Sequence, residues 1–167
     1  MNVKLIITYD PAHIESSREK VSNLFKEIKA KHEFLKSKHN GIFLIDAANP
    51  RGVVKKLKEL SKNNRELFGK TYRYIPIDKW VKSEIPDMQK VIKSLVPKIK
   101  KNEKWMMDIE KRYYTKYDYK ELIAKLTDVV DRKEIDLKKP EKIIKVEILG
   151  KNAGISLLEP DEFLIVS

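Results

Sequence analysis

The sequence predicts an α+β fold built as two packed lobes, on three observations. Short runs of alternating apolar residues interleave with longer stretches in which apolar positions recur every three or four residues, so strands and helices share the chain. Residues 1–78 carry them in the order strand, helix, two strands, helix, strand, which is that of a ferredoxin-like lobe. Residues 79–167 carry a second series, helix, strand, helix and hairpin, and no linker rich in Gly, Ser or Pro separates the two.

Val3 to Tyr9 forms the first strand. Asp10 then supplies a capping carboxylate and Pro11 stands where a missing N–H costs nothing, so a helix is predicted to about Lys31, with Ile14, Val21, Leu24, Phe25 and Ile28 inward. Phe34 to Lys38 is a short strand, and Gly41 to Asp46 a stronger one after the turn His39-Asn40-Gly41. Asn49-Pro50 repeats the cap and proline, opening a helix from about Arg51 to Leu60. Its Val53, Val54, Leu57 and Leu60 face inward, and Lys55, Lys56, Lys58 and Lys62 face outward. Thr71 to Asp78 closes the lobe as a strand.

From Ser83 the spacing of Ile85, Met88, Ile92, Leu95 and Val96 predicts a third helix, which Pro97 kinks or ends. Lys104 to Tyr114 is a strand with Trp105, Met107 and Ile109 on its core face. Asp118 and Glu121 have capping-box spacing ahead of Leu122, Ile123, Leu126, Val129 and Val130. Ile144, Val146 and Ile148 alternate with Lys145 and Glu147, predicting a strand apolar on one face and charged on the other. Gly150-Lys151-Asn152 tolerates a turn, and Ile155 and Leu157 restart the alternation as a hairpin.

Composition narrows the chemistry. With no cysteine, thiol nucleophiles, thiolate zinc sites and disulfides are excluded, and a reducing compartment such as the cytoplasm is expected. Residues 1–9 are too short and too alternating for a signal peptide, and no apolar run approaches the roughly 20 residues of a membrane helix, so no membrane partner is expected. The five glycines, at 41, 52, 69, 150 and 154, make no phosphate loop, and His13, His32 and His39 fit no metal motif. No serine lies in a nucleophile elbow, and the carboxylates on the lysine-rich helices read as halves of solvated ion pairs. No cofactor, no metal and no catalytic residue is therefore predicted.

The net charge of +11 is segregated: residues 1–50 carry +2, residues 51–116 carry +11 and residues 117–167 carry −2. A heat-adapted, lysine-rich surface would explain high total charge, whereas segregation points to a polyanion held by counterion release. Cations stand beside rings at Tyr72-Arg73-Tyr74, Lys79-Trp80-Val81-Lys82, Lys104-Trp105 and Lys111-Arg112-Tyr113-Tyr114. Such pairs suit phosphate contact and base stacking, although aromatics that alternate along strands also serve packing. Trp105 belongs to the core. Tyr113 and Tyr114 fit either role, and Arg112 could equally discourage edge pairing.

Two stretches carry a family resemblance. Ile135-Asp136-Leu137, Pro140-Glu141, Ile144 and Val146-Glu147-Ile148 closely resemble the "(V/I)DL-x-x-P-(D/E)-x-x-I-x-VEI" signature of THUMP domains, the RNA-binding modules of tRNA thiolation, methylation and acetylation systems. Lys104 to Arg112 is similar to that family's first strand and its arginine. The likeness covers roughly residues 60–167, and the unit before it resembles the ferredoxin-like domain that accompanies THUMP domains. Where many such strands alternate basic residues, this one has Met106, Asp108 and Glu110, so its outward face is expected to meet protein instead of RNA.

With no catalytic domain expected after Ser167, the chain looks most like the stand-alone THUMP adaptors of tRNA cytidine N4-acetylation. The resemblance implies a non-catalytic RNA-binding protein that holds tRNA by its acceptor end and delivers it to a separate RNA acetyltransferase. Phosphate contacts are expected from Lys79, Lys82, Lys104, Lys111, Arg112 and Lys116, with Tyr113 and Tyr114 as stacking candidates. The rival expectations are an RNA-modifying enzyme with an unrecognised active site and a protein-interaction module with a basic face. The acidic last third is expected to build a platform, with the binding charge upstream between Arg51 and Lys116.

Overall fold

The computed structural model describes residues 2–167, which form two compact units. The first runs through Ile77 and takes back Asp161–Ser167; the second is Asp78–Pro160. The second domain expected over residues 79–167 thus loses its last seven residues to the first.

In the first unit the strands β1 (Leu5–Tyr9), β2 (Glu33–Leu35), β3 (Ile42–Asp46), β4 (Thr71–Pro76) and β9 (Leu164–Ile165) form one sheet in the order β2-β3-β1-β4-β9. All of its pairings are antiparallel. The helices α1 (Ile14–Glu27) and α2 (Pro50–Ser61) bring Val21, Leu24, Phe25, Val53, Val54 and Leu57 onto Leu5, Ile7, Phe43, Ile45 and Tyr74. Asp10 caps as predicted, accepting from the Ala12 N–H, but it opens a 3-10 turn, Pro11–His13, ahead of α1. The helix ends before Lys31. Lys29 turns left-handed at φ 56°, and the Ala30 N–H closes back onto the Phe25 carbonyl at 2.9 Å, a Schellman-type stop.

The tail is held to this unit by side chains as well as by strand pairing. Arg51 lies 3.5 Å from Glu162, Lys55 3.8 Å from Asp161, and Arg65 Nε donates to the Ser167 carbonyl at 2.7 Å. Part of the positive charge of α2 is therefore met by carboxylates more than 100 residues away in sequence.

The second unit has the strands β5 (Lys79–Lys82), β6 (Trp105–Arg112), β7 (Lys142–Leu149) and β8 (Asn152–Leu158), in the order β5-β8-β7-β6. β5 was not foreseen; it pairs antiparallel with β8, Lys79 opposite Ile155 and Lys82 opposite Asn152. β6 and β7 run parallel, with Trp105 opposite Lys142 and Arg112 opposite Leu149. The helices α3 (Ile85–Leu95) and α4 (Tyr119–Thr127) cover one face with Met88, Ile92, Leu122 and Leu126 against Trp105, Ile109, Val146 and Ile155. Pro97 ends α3 in a 3-10 turn, and the Asp118/Glu121 capping box forms in full.

β7 departs from the half-buried strand its alternation predicts. Lys145 is 1% and Glu147 0% exposed, so both faces are covered. Lys145 Nζ forms an ion pair and hydrogen bond with Asp108 on the neighbouring β6, which is why an ammonium is tolerated there. Asp108 on the outward face of β6 is thus engaged within the sheet itself. Removing Asp108 takes an ion-pair partner from a buried ammonium, so Asp108→Ala should cost about 3 kcal/mol in urea unfolding, while Asp108→Leu with Lys145→Met should recover most of it.

Candidate nucleic-acid interface

Strand direction decides where the site lies. β6 and β7 are parallel and both β5 and β7 run against β8, so β5, β6 and β7 all point the same way. Their last residues, Lys82, Arg112 and Leu149, come to one edge of the sheet, with the β7–β8 turn. Three loops meet there and are tied together. Ser83 donates its backbone N–H to the Lys151 carbonyl at 2.9 Å and its hydroxyl to the Gly150 carbonyl at 2.7 Å. The Gly150 N–H donates to the Arg112 carbonyl at 2.9 Å.

Between these loops is a cavity of about 600 Å³, lined by Lys82 to Glu84, Tyr113 to Lys116 and Gly150 to Asn152. It has three ammonium groups, from Lys82, Lys116 and Lys151, against one carboxylate, Glu84. Tyr113 turns the chain out of β6 in the left-handed region at φ 57°, a conformation costly for a bulky residue, and its side chain is 62% exposed. Tyr114 is half-buried; burial pushes its hydroxyl above the usual tyrosine range, and that oxygen has no hydrogen-bond partner among the described residues. Lys111 supports the loop, donating to the Tyr114 carbonyl at 3.4 Å. Arg112 carries a buried Nη1 with no partner among the described residues.

Lys116 donates to Glu84 Oε2 at 2.6 Å, and this bond, with the charge of Glu84, holds the ammonium above the usual lysine value. The pair's contribution is therefore present below that usual value and is lost as pH rises through the raised one. Both side chains are about half exposed, so the bond restrains Lys116 more than it stabilises the fold.

Of the residues expected to bind RNA, the structure brings Lys82, Tyr113, Tyr114 and Lys116 around the cavity, with Lys111 and Arg112 directly behind it. It separates the other two. Lys104 precedes β6 at the opposite edge of the sheet, 3.7 Å from Asp136, whose carboxyl is held below the usual range first by the Lys139 N–H and then by that of Lys138. Lys79 begins β5, three residues from the carboxyl edge. The last third of the chain contributes too, because Gly150, Lys151 and Asn152 line the cavity. The turn was legible in the sequence; what was missing was the parallel pairing that carries it to Arg112. Among the described residues, no group of three or more His, Asp or Glu could hold a metal, and no helix is long and apolar enough to cross a membrane.

No family model matches the sequence, and no curated protein matches it. Solved structures do share its fold. PH1313 from Pyrococcus horikoshii Ot3 is similar over 98% of this chain and 55% of its own, with a TM-score of 0.71 at 15% identity. TrmN from Thermus thermophilus is similar over 92% of this chain and 44% of its own, with a TM-score of 0.58 at 12% identity. A 4-thiouridine synthetase, solved as an RNA complex with bound ATP, is similar over 98% of this chain and 42% of its own, with a TM-score of 0.51 at 14% identity. At these identities the likeness is one of fold, and the chain spans about half the length of the structures it matches. Fold and site together define a two-unit α+β protein with a basic, tyrosine-lined sheet edge.

Glu84→Gln should release Lys116, whose ammonium pKa should fall toward its usual value in an NMR titration. Polyanion binding at low salt should tighten by roughly threefold, as expected for removing one exposed carboxylate from such a site.

Proposed function

We propose that the chain is a tRNA-binding protein of the THUMP kind, in which a ferredoxin-like unit accompanies a THUMP unit. The observation that carries this reading is the grouping of Lys82, Lys116 and Lys151 with Tyr113 and Tyr114 around one cavity at the carboxyl edge of the second sheet. Ammonium groups meet phosphates, an exposed ring stacks on an unpaired base, and a polar RNA group entering the cavity would satisfy the buried hydroxyl of Tyr114. The β2-β3-β1-β4 order of the first unit supports the ferredoxin-like part, and the fold shared with an RNA-bound thiouridine synthetase supports RNA as the ligand. The acceptor end of tRNA, single-stranded and flexible, suits a cavity better than duplex does.

The role is that of a non-catalytic cytoplasmic adaptor, presenting tRNA to a separate RNA acetyltransferase for cytidine N4-acetylation. A second reading, that the chain acts in RNA modification as all or part of an enzyme, is favoured by a specific observation: one structure of this fold is by name an enzyme, about twice as long. Bare tRNA incubated with the purified protein and acetyl-CoA separates them. The adaptor reading expects no modified nucleoside without the acetyltransferase; a modified nucleoside made by the protein alone would overturn it. In cells lacking the protein, tRNA should lose N4-acetylcytidine alone.

Lys82→Gln, Lys116→Gln and Lys151→Gln should each weaken tRNA binding and lower the slope of log K against log salt by about 0.7 to 0.9 per lost phosphate contact. Unchanged slopes in all three would sink the site. Wild-type protein should bind tRNA and acetyltransferase together, whereas mutual exclusion would favour a protein-interaction module using the same basic face.

A further inference from the structure

The first unit has a cavity of its own, about 460 Å³, where the end of β1, the start of α1 and the loop between β2 and β3 meet. That volume is within the roughly 300 to 1,000 Å³ usual for small-molecule sites. Arg18, Lys36, Ser37, His39 and Asn40 supply its polar lining, and among the described residues lining it none is a carboxylate.

Its floor is aromatic. Tyr9 and Phe43 stack with centroids 4.1 Å apart, and Phe34 meets Phe43 edge-on at 5.1 Å. The Arg18 guanidinium is laid over these rings, 4.6 Å from the Phe34 centroid and 5.4 Å from that of Phe43. Arg18 is nevertheless exposed, and its side chain donates no hydrogen bond and forms no ion pair among the described residues. The aromatic shelf thus fixes a flat cation whose donors remain uncommitted. Across the cavity, Lys36 and Asn40 are exposed on a loop pinned by Ser37, whose Oγ donates to the His39 carbonyl and accepts the His39 N–H, each at 3.3 Å.

We propose that this cavity binds one nucleotide. Its base stacks on the Arg18 guanidinium, continuing the pile begun by Phe34, and its phosphate lies between Arg18 and Lys36. The Asn40 amide, both donor and acceptor, meets the base edge. A bare anion would need the two cations but no aromatic shelf beneath one of them, and a purely apolar ligand would leave Arg18 and Lys36 uncompensated. The ligand is either a free nucleotide or one unpaired residue of an RNA. The site is separate from the cavity of the second unit and does not depend on the tRNA reading of it.

The test follows the Arg18 Nε–Hε and Phe34 ring resonances of the full chain by NMR during titration with adenosine monophosphate, inorganic phosphate and a short oligouridine. The mononucleotide or the oligouridine should move both resonances at concentrations about tenfold below those inorganic phosphate requires, the difference expected from stacking one base. Arg18→Lys, which keeps the charge but loses the plane, should erase that preference. Lys36→Gln, on an exposed loop, should weaken every probe. A tighter response to oligouridine identifies an RNA residue as the ligand, and a tighter response to the mononucleotide identifies a free nucleotide; both uphold the site. Resonances that ignore both nucleotide probes, that respond equally to inorganic phosphate, or that lose their response in Lys82→Gln would overturn it.

Discussion

The second unit depends on β7, a strand buried along nearly its whole length and bonded on both sides, parallel to β6 and antiparallel to β8. A buried central strand must satisfy every backbone group within the sheet, so its register admits little slippage. That register sets Asp108 beside Lys145 and Arg112 beside Leu149. It also fixes the polarity of the sheet, which brings the ends of β5, β6 and β7 to one edge. The cavity, its lysines and its two tyrosines follow from that direction, since each loop only continues the strand that delivers it.

Electrostatics refines this arrangement without creating it. The excess of positive charge in residues 51–116 is real, yet it does not form one free surface. Arg51 and Lys55 face Glu162 and Asp161 of the tail, Lys104 faces Asp136, and Lys116 is shared with Glu84. These are mostly exposed pairs, individually weak and screened by salt, so a polyanion can compete for the same ammonium groups. The Lys145–Asp108 pair is of another kind, its ammonium buried and its consequence structural.

Local chemistry was legible wherever it is local in space. Asp10 and Asn49 cap where predicted, Asp118 and Glu121 form their box, Pro97 ends its helix, and Gly150-Lys151-Asn152 turns the hairpin. Misreadings arose where a residue's environment comes from a distant part of the chain. Lys145 and Glu147 looked solvent-facing because alternation reports polarity, not cover. Lys79 to Lys82 was read for its cations and ring and not as a strand, because four residues with two lysines carry little strand signal until β8 provides an edge. The tail looked like part of the hairpin lobe because its pairing partner, β4, lies some 90 positions upstream.

For the site, the sequence by itself determined which side chains stand close together: lysine and arginine beside tyrosine. It also singled out six of the residues that gather at or behind the cavity, because cation and ring adjacent in sequence stay adjacent in space. Only the tertiary structure decided that Lys104 and Lys79 stand apart, that Lys151 and Asn152 belong, and that Arg18 lies on a shelf of rings in the other unit. The physical reason is strand direction. Parallel pairing joins residues about 40 positions apart, and no local pattern in the sequence records which end of a strand will meet which loop.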